Sequence, residues 1–91
     1  MTPVRYAWMW LKSNYPQVDS YWNTTWDRLG RTLVSTILVN YRHVPALRVQ
    51  FCDGDRIVIS MPKQNDRHIT TNLADPRSFD LIKQELDEAM K

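Results

Sequence analysis

The chain has 91 residues, of which 43% are apolar and 24% charged, a balance that excludes a disordered chain and fits one compact domain over residues 1–91. No apolar run approaches the roughly 20 residues of a membrane helix, and the N-terminus lacks the order of a secretory signal. The single cysteine cannot form an internal disulfide, so we expect a cytoplasmic protein with no membrane association. The net charge of +2 divides into +4 over residues 1–50 and −2 over residues 51–91, which predicts a basic surface in the first half.

The first predicted element is a helix that begins at Thr2-Pro3 and ends before Pro16, because Thr is a good N-cap and Pro suits the first helical position. At about 100° per residue, the side facing the core holds Val4, Ala7, Trp8 and Leu11. The other side holds Tyr6, Met9 and Trp10. A strand is the alternative, because the aromatic residues at 6, 8 and 10 also alternate.

A second helix is predicted from Asp19 or Ser20 to about Arg42. Its apolar stripe recurs at spacings of three and four and consists of Trp22, Trp26, Leu29, Leu33, Ile37 and Tyr41. Gly30 lies on this stripe, where the missing side chain would let another element approach. The β-branched run at residues 32–39 favours a strand locally and leaves the end of the helix open.

The face opposite this stripe is predicted to carry a basic ridge of Arg28, Arg31 and Arg42. From the first to the last of these arginines the ridge would span about 21 Å at 1.5 Å per residue. Tyr21 lies off the apolar stripe, so its ring is expected at the surface.

From Ala46 the apolar period changes to two, which predicts strands on both sides of Asp53-Gly54. A three-residue loop at 52–54, with Gly54 in the left-handed conformation, would pair Val49 with Ile57 and would also pair Leu47 with Ile59. A short third strand is predicted at residues 69–73.

The last predicted element is a helix that begins at Asp75-Pro76, where an Asp cap precedes a proline. Its apolar face consists of Phe79, Ile82, Leu86, Ala89 and Met90, and its opposite face is acidic, with Asp80, Asp87 and Glu88. The predicted fold class is therefore α+β, with two N-terminal helices, a three-stranded antiparallel meander, and a C-terminal helix packed on one face of the sheet.

Catalytic residue types are few and scattered. Cys52, His43 and His68 are the residues that could serve as a nucleophile and its base, and no third residue would orient them. The spacings of Cys, His and acidic residues match no metal-site pattern, and two isolated glycines exclude a phosphate-binding Gly-rich loop. We therefore expect no enzyme, no catalytic residue, no cofactor and no metal.

A small basic domain without a catalytic signature suits a protein-binding regulator, adaptor or inhibitor, a type that phages and other mobile elements often encode. In this hypothesis the exposed aromatic side of the first helix enters an apolar groove of a protein partner, and the basic ridge pairs with acidic side chains. The predicted contact residues are Tyr6, Met9, Trp10, Tyr21, Arg28, Arg31 and Arg42. Trp10 can belong either to this surface or to the core, and the hypothesis requires it to lie at the surface.

The alternative is a nucleic-acid-binding protein, because aromatic residues interleave with the basic side chains. Its predicted contacts are Arg5, Lys12, Arg28, Arg31 and Arg42. A homodimer is a further alternative, in which the acidic face of the last helix meets the basic ridge of a second copy.

Overall fold

A computed structural model of the chain describes residues 2–53 and 55–91, which form two helices and five strands. In chain order these are helix α1 (Pro3–Asn14), strands β1 (Asp19–Trp26), β2 (Leu33–Tyr41), β3 (Val44–Phe51), β4 (Arg56–Met61) and β5 (Arg67–Asn72), and helix α2 (Arg77–Ala89). The strands form one antiparallel sheet in the order β1-β2-β3-β4-β5. Within the described part of the chain, neither helix has the length and apolar content needed to cross a membrane.

The first helix is confirmed, and it is capped as the sequence predicts. The Thr2 hydroxyl accepts a hydrogen bond from the backbone N–H of Arg5 at 3.3 Å, and Pro3 occupies the first turn. Three of the four residues predicted to face the core are buried, namely Val4, Ala7 and Leu11. The fourth, Trp8, is half-buried at the edge of the core.

The predicted second helix is wrong, because residues 19–41 form the β1–β2 hairpin. Side chains four residues apart share a face on a helix, and they also share a face on a strand, where the period is two. Most spacings in the predicted stripe therefore fit both structures. Only the three-residue step from Trp26 to Leu29 is specific to a helix, and that step lies in the turn between the strands. The many β-branched residues in the segment 24–39 favour the strands.

Gly30 has a different role from the predicted one. Its φ is +67°, a left-handed conformation that glycine adopts without strain, and no neighbouring atom lies within 4 Å of the place a Cβ would occupy. The glycine is needed for the backbone of the turn and not for a close approach between elements.

The β3–β4 hairpin is present, but its register differs from the predicted one. Val49 pairs with Ile59 and Phe51 pairs with Ile57, so β4 is displaced by two residues. Because a strand has a period of two, this displacement keeps the same side chains on the same face, and Val49, Ile57 and Ile59 are all fully buried. The predicted conformation of Gly54 lies outside the described residues.

The last helix is confirmed, and both helices cover the same face of the sheet. The helix begins at Arg77, one residue after the predicted first position, and the Asp75 carboxylate accepts a hydrogen bond from the backbone N–H of Arg77 at 3.0 Å. The shared core is formed by inward residues of both helices and of the sheet, including Val4, Leu11, Ile37, Val39, Leu47, Val49, Ile57, Ile59, Ile82 and Leu86. The fold is α+β, but a five-stranded sheet replaces the predicted second helix and three-stranded meander.

Candidate functional site

The predicted basic ridge does not form, because its arginines lie at opposite ends of the sheet. Arg28 and Arg31 are in the turn between β1 and β2, whereas Arg42 is in the turn between β2 and β3. Strand β2 has nine residues, so its two ends are about 30 Å apart at 3.3 Å per residue. Arg42 instead lies with its guanidinium 5.0 Å from the ring centroid of Tyr41, a cation–π contact within the domain.

The β1–β2 turn is held by hydrogen bonds to Asp27. Its carboxylate accepts from the backbone N–H of Arg31 at 2.8 Å, and its carbonyl accepts from the N–H of Gly30 at 3.0 Å. The hydrogen bond from the Arg31 backbone is the main reason why the pKa of the Asp27 carboxyl is lowered. The turn therefore presents the two exposed side chains of Arg28 and Arg31 from a fixed backbone.

The predicted aromatic side of α1 is only partly exposed. Tyr6 and Met9 are 54% and 44% exposed. Trp10 is half-buried, with its ring centroid 4.8 Å from that of Phe79 in α2 and 6.0 Å from that of Tyr15. Phe79 also makes an edge-to-face contact with Tyr6 at 5.9 Å. The domain itself thus covers one side of Trp10, and these aromatic residues help to join the two helices.

The other flank of α1 faces the β1–β2 hairpin and carries Arg5, Trp8 and Lys12, which are three and four residues apart. The Lys12 ammonium lies 4.1 Å from the centroid of the Trp8 ring. The Trp8 indole N–H donates to the backbone carbonyl of Ser20 in β1 at 3.3 Å, and the Trp8 ring lies 6.2 Å from the Trp22 ring. This flank therefore continues onto the strand.

Three large, exposed apolar side chains of the hairpin lie on the same face of the sheet as the helices. Trp26 is 61% exposed and Leu33, its cross-strand partner, is 56% exposed. Trp22 lies four residues before Trp26 on the same face and is 39% exposed. We call the surface formed by Trp8, Trp22, Trp26 and Leu33 the tryptophan strip. Leu29 in the adjoining turn is 70% exposed.

The tryptophan strip is exposed because the helices cover only part of the hairpin. The buried residues of β2, Ile37 and Val39, lie in the half that α1 covers, whereas the half next to the turn contributes no buried residue. Sequence reasoning assigned Trp22 and Trp26 to the core of a helix. Their spacing of four residues also places them on one face of a strand, and the β-branched run at residues 32–39 was the signal that favours strands over a helix.

Tyr21 is 54% exposed, as predicted, but on the opposite face of the sheet from the tryptophan strip. The register places it in a row across the sheet with Leu38, Arg48, Ser60 and His68. This open face is polar at most positions. A flat surface of a partner that contacts Trp26 therefore cannot also contact Tyr21. A partner would have to pass around the edge of β1 to contact both.

The residues considered for nucleophilic chemistry are not brought together. His43 precedes β3 and Cys52 follows it, so the two lie at opposite ends of an eight-residue strand. His68 is on the open face of β5. Among residues 2–53 and 55–91, no three His, Cys, Asp or Glu side chains form a group that could hold a metal ion.

Comparisons with protein-family models, with curated proteins and with solved structures give no match to this chain.

Proposed function

We propose that this protein is a non-catalytic protein-binding module and that the tryptophan strip is its contact surface. The observation that carries the proposal is the exposure of Trp26 and Leu33 on a part of the sheet that neither helix covers, continued by the partly exposed Trp22 beside α1. Small domains normally place their large aromatic residues in the core, because few other side chains bury as much apolar surface. Tryptophans left exposed side by side are typical of interaction sites.

The residues around the strip have the composition of an interface hot spot. Trp, Tyr and Arg dominate the binding energy of most protein interfaces, with the aromatic rings at the centre and the charges at the rim. Here Arg28 and Arg31 adjoin Trp26 at the turn, and Lys12 lies on Trp8 at the other end. In the proposed complex the tryptophans become buried, and the basic side chains orient a partner that carries acidic residues.

The aromatic side of α1 is a second candidate contact surface for a protein partner. Tyr6 and Met9 remain exposed, but Trp10 and Tyr6 already contact Phe79. We therefore place the main contact on the tryptophan strip, and Tyr6 becomes the matched comparison for Trp26 because the two aromatic residues have similar exposure.

The nucleic-acid alternative rested on a continuous ridge of Arg28, Arg31 and Arg42, which the hairpin divides between two ends of the sheet, and on Arg5 and Lys12, which share one flank of α1. Two arginines at one turn and two basic residues on α1 neutralise few phosphates, and affinity for a nucleic acid rises with the number of phosphates neutralised. The homodimer alternative also needs this ridge, because the acidic face of α2 would bind to it. We propose a protein partner in preference to both.

The test is affinity capture from a lysate of the source organism, with and without nuclease, on immobilised wild-type chain and on two variants. We expect Trp26→Ala to reduce the recovery of a specific protein at least about tenfold, while Tyr6→Ala retains it, because a hot-spot tryptophan is worth more than about 1.4 kcal/mol. Quantitative mass spectrometry measures the recoveries. Thermal unfolding of each variant checks that it is folded.

Two results would contradict the proposal. Equal recovery by the wild type and Trp26→Ala would remove the tryptophan strip as the contact surface, and a loss confined to Tyr6→Ala would move that surface to α1. Recovery that nuclease abolishes would instead favour the nucleic-acid alternative. Arg31→Glu serves as an additional variant, since the rim charge is expected to slow association more than it speeds dissociation.

A further inference from the structure

Strand β1 is an edge strand, and within the described residues a helix contact with its outward backbone is seen at its start, where the Trp8 indole reaches Ser20. It has eight residues, Asp19–Trp26, and its side chains are exposed along almost its whole length. Natural proteins protect edge strands with Lys, Pro, bulges or a covering segment, because an unpaired strand backbone is a template for another strand. The sequence of β1 contains neither Lys nor Pro, and its only charged residue is Asp19 at the start. The register irregularity of the sheet lies between β2 and β3.

The hydrogen bonds of the turn show which backbone groups of β1 point outward. The Asp27 N–H donates to the carbonyl of Thr32 at 2.8 Å, so this pair is hydrogen-bonded. Bonded and non-bonded pairs alternate along an antiparallel ladder. Counting back from Asp27 in steps of two, the odd-numbered residues of β1 bond to β2. The N–H and C=O groups of Trp22, Thr24 and Trp26 therefore point to the free edge.

Two other contacts agree with this phase. Ser20 is an even-numbered residue, and its outward carbonyl accepts the indole N–H of Trp8 at 3.3 Å. In the β3–β4 hairpin the Cys52 N–H donates to the Arg56 carbonyl at 2.9 Å. Counting the alternation from this pair, Val49 is not hydrogen-bonded to β4, so its backbone groups bond to Ile37 in β2. Because the backbone groups of Ile37 are used by β3, its other neighbour Trp22 makes no backbone hydrogen bond to β2.

We propose that an extended segment of a partner protein adds to β1 as a sixth strand, pairing with the backbone of Trp22, Thr24 and Trp26. This inference rests on the proposed function and names its partner class. Two of these residues, Trp22 and Trp26, also carry side chains of the tryptophan strip, so one peptide makes both sets of contacts. Main-chain hydrogen bonds supply affinity in this recognition mode, and alternate side chains supply specificity.

The geometry specifies the side chains of the added strand. Residues directly opposite each other in an antiparallel pair lie on the same face, so every second residue of the segment faces the tryptophan strip. Three alternate apolar residues opposite Trp22, Thr24 and Trp26 would cover it. An acidic residue beyond the end next to Trp26 would lie near Arg28 and Arg31. The segment is therefore apolar at alternate positions and acidic at one end.

Charge supports this occupant over a second copy of the chain. Two copies joined through antiparallel β1 strands would place Arg28 and Arg31 of one copy beside the start of β1 in the other, where Lys12 lines the surface. Asp19 is the acidic residue that lines this surface, and it would offset one of these positive charges. An acidic extended peptide instead meets complementary charge at the turn.

The experiment begins with a displayed library of random twelve-residue peptides, selected on the immobilised chain and counter-selected on Trp26→Ala. We expect the enriched peptides to have apolar residues at alternate positions and an acidic residue at one end. One enriched peptide is then synthesised, and its binding is measured by fluorescence anisotropy.

Two variants at one position separate strand pairing from side-chain contact. Thr24→Pro removes an outward N–H, a place where an edge strand tolerates proline, and should weaken the peptide at least about tenfold. Thr24→Val keeps the N–H and the β-branched shape while losing the same hydroxyl contacts to Trp22 and Ser35, so it is the matched control. Two peptides, each N-methylated at one of two adjacent residues, provide a second test. One methyl group replaces an N–H that points to β1 and should weaken binding, whereas the other replaces an N–H that points away and should not.

The outcomes distinguish this inference from the proposed function. Peptides that need Trp26 but space their apolar residues by three and four, or that bind Thr24→Pro as well as Thr24→Val, would overturn strand addition. A wild-type dimer, seen by light scattering and lost in Thr24→Pro, would overturn it in favour of a second copy. A selection without any Trp26-dependent peptide would also overturn it, and the lysate capture would then decide the proposed function by itself.

Discussion

Replacing Trp26 by alanine distinguishes the β1–β2 hairpin from the helix that the apolar stripe predicts, because the two structures give this residue opposite environments. Trp26 is 61% exposed, so about two fifths of it is covered. A buried tryptophan removes about 150–250 Å² from water, so this fraction corresponds to about 60–100 Å². At about 25 cal/mol per Å², and allowing for a compact unfolded chain, the expected cost is about 1–2 kcal/mol.

The control is Ile37→Ala in the neighbouring strand. Ile37 is fully buried between the sheet and the helices, and its truncation is expected to cost about 2–5 kcal/mol. Urea unfolding followed by far-UV circular dichroism measures both costs, and an unchanged slope confirms that the transition remains comparable. A cost of about 3 kcal/mol or more for Trp26→Ala, the range of a core tryptophan, would refute the exposed hairpin.

Three further predictions concern single residues outside the tryptophan strip. Burial and the neighbouring Asp87 carboxylate raise the pKa of Tyr15 to about 12 from 10.0. The free energy of unfolding should therefore fall by about 1–2 kcal/mol as the pH rises from 10 to 12. Denaturant titrations at both pH values measure this fall, which Tyr15→Phe should lack. Gly30→Ala should cost about 1 kcal/mol in thermal unfolding, and Gly30→Asn less, because the φ of +67° disfavours alanine most. Arg67→Met should destabilise more than Glu85→Gln in urea, because the Glu85 side chain is 8% exposed and Arg67 is 51% exposed, so losing the arginine leaves a buried charge unpaired; equal costs would contradict this.

The sequence predicts the exposure of some residues of the candidate site, but not which of them lie together. Arg28 and Arg31 were recognised as exposed basic residues, and Tyr6 and Met9 as exposed apolar ones. Trp26 and Leu33 were missed, because a spacing of four residues indicates one face in a helix and in a strand alike. The grouping of arginines into a ridge failed for a related reason, since a hairpin separates residues that a helix would stack.

Local signals in the sequence determined the two helices and the β3–β4 hairpin. The Thr2-Pro3 start, the Asp75-Pro76 start and the alternation around Val49 each act over a few residues, so no distant contact was needed to recognise them. Only the tertiary structure decided the rest. Residues 19–41 could pair as strands because β3 offered an edge for β2, and the helices were too short to cover the hairpin that resulted. That uncovered half leaves the tryptophans and the backbone of β1 exposed together.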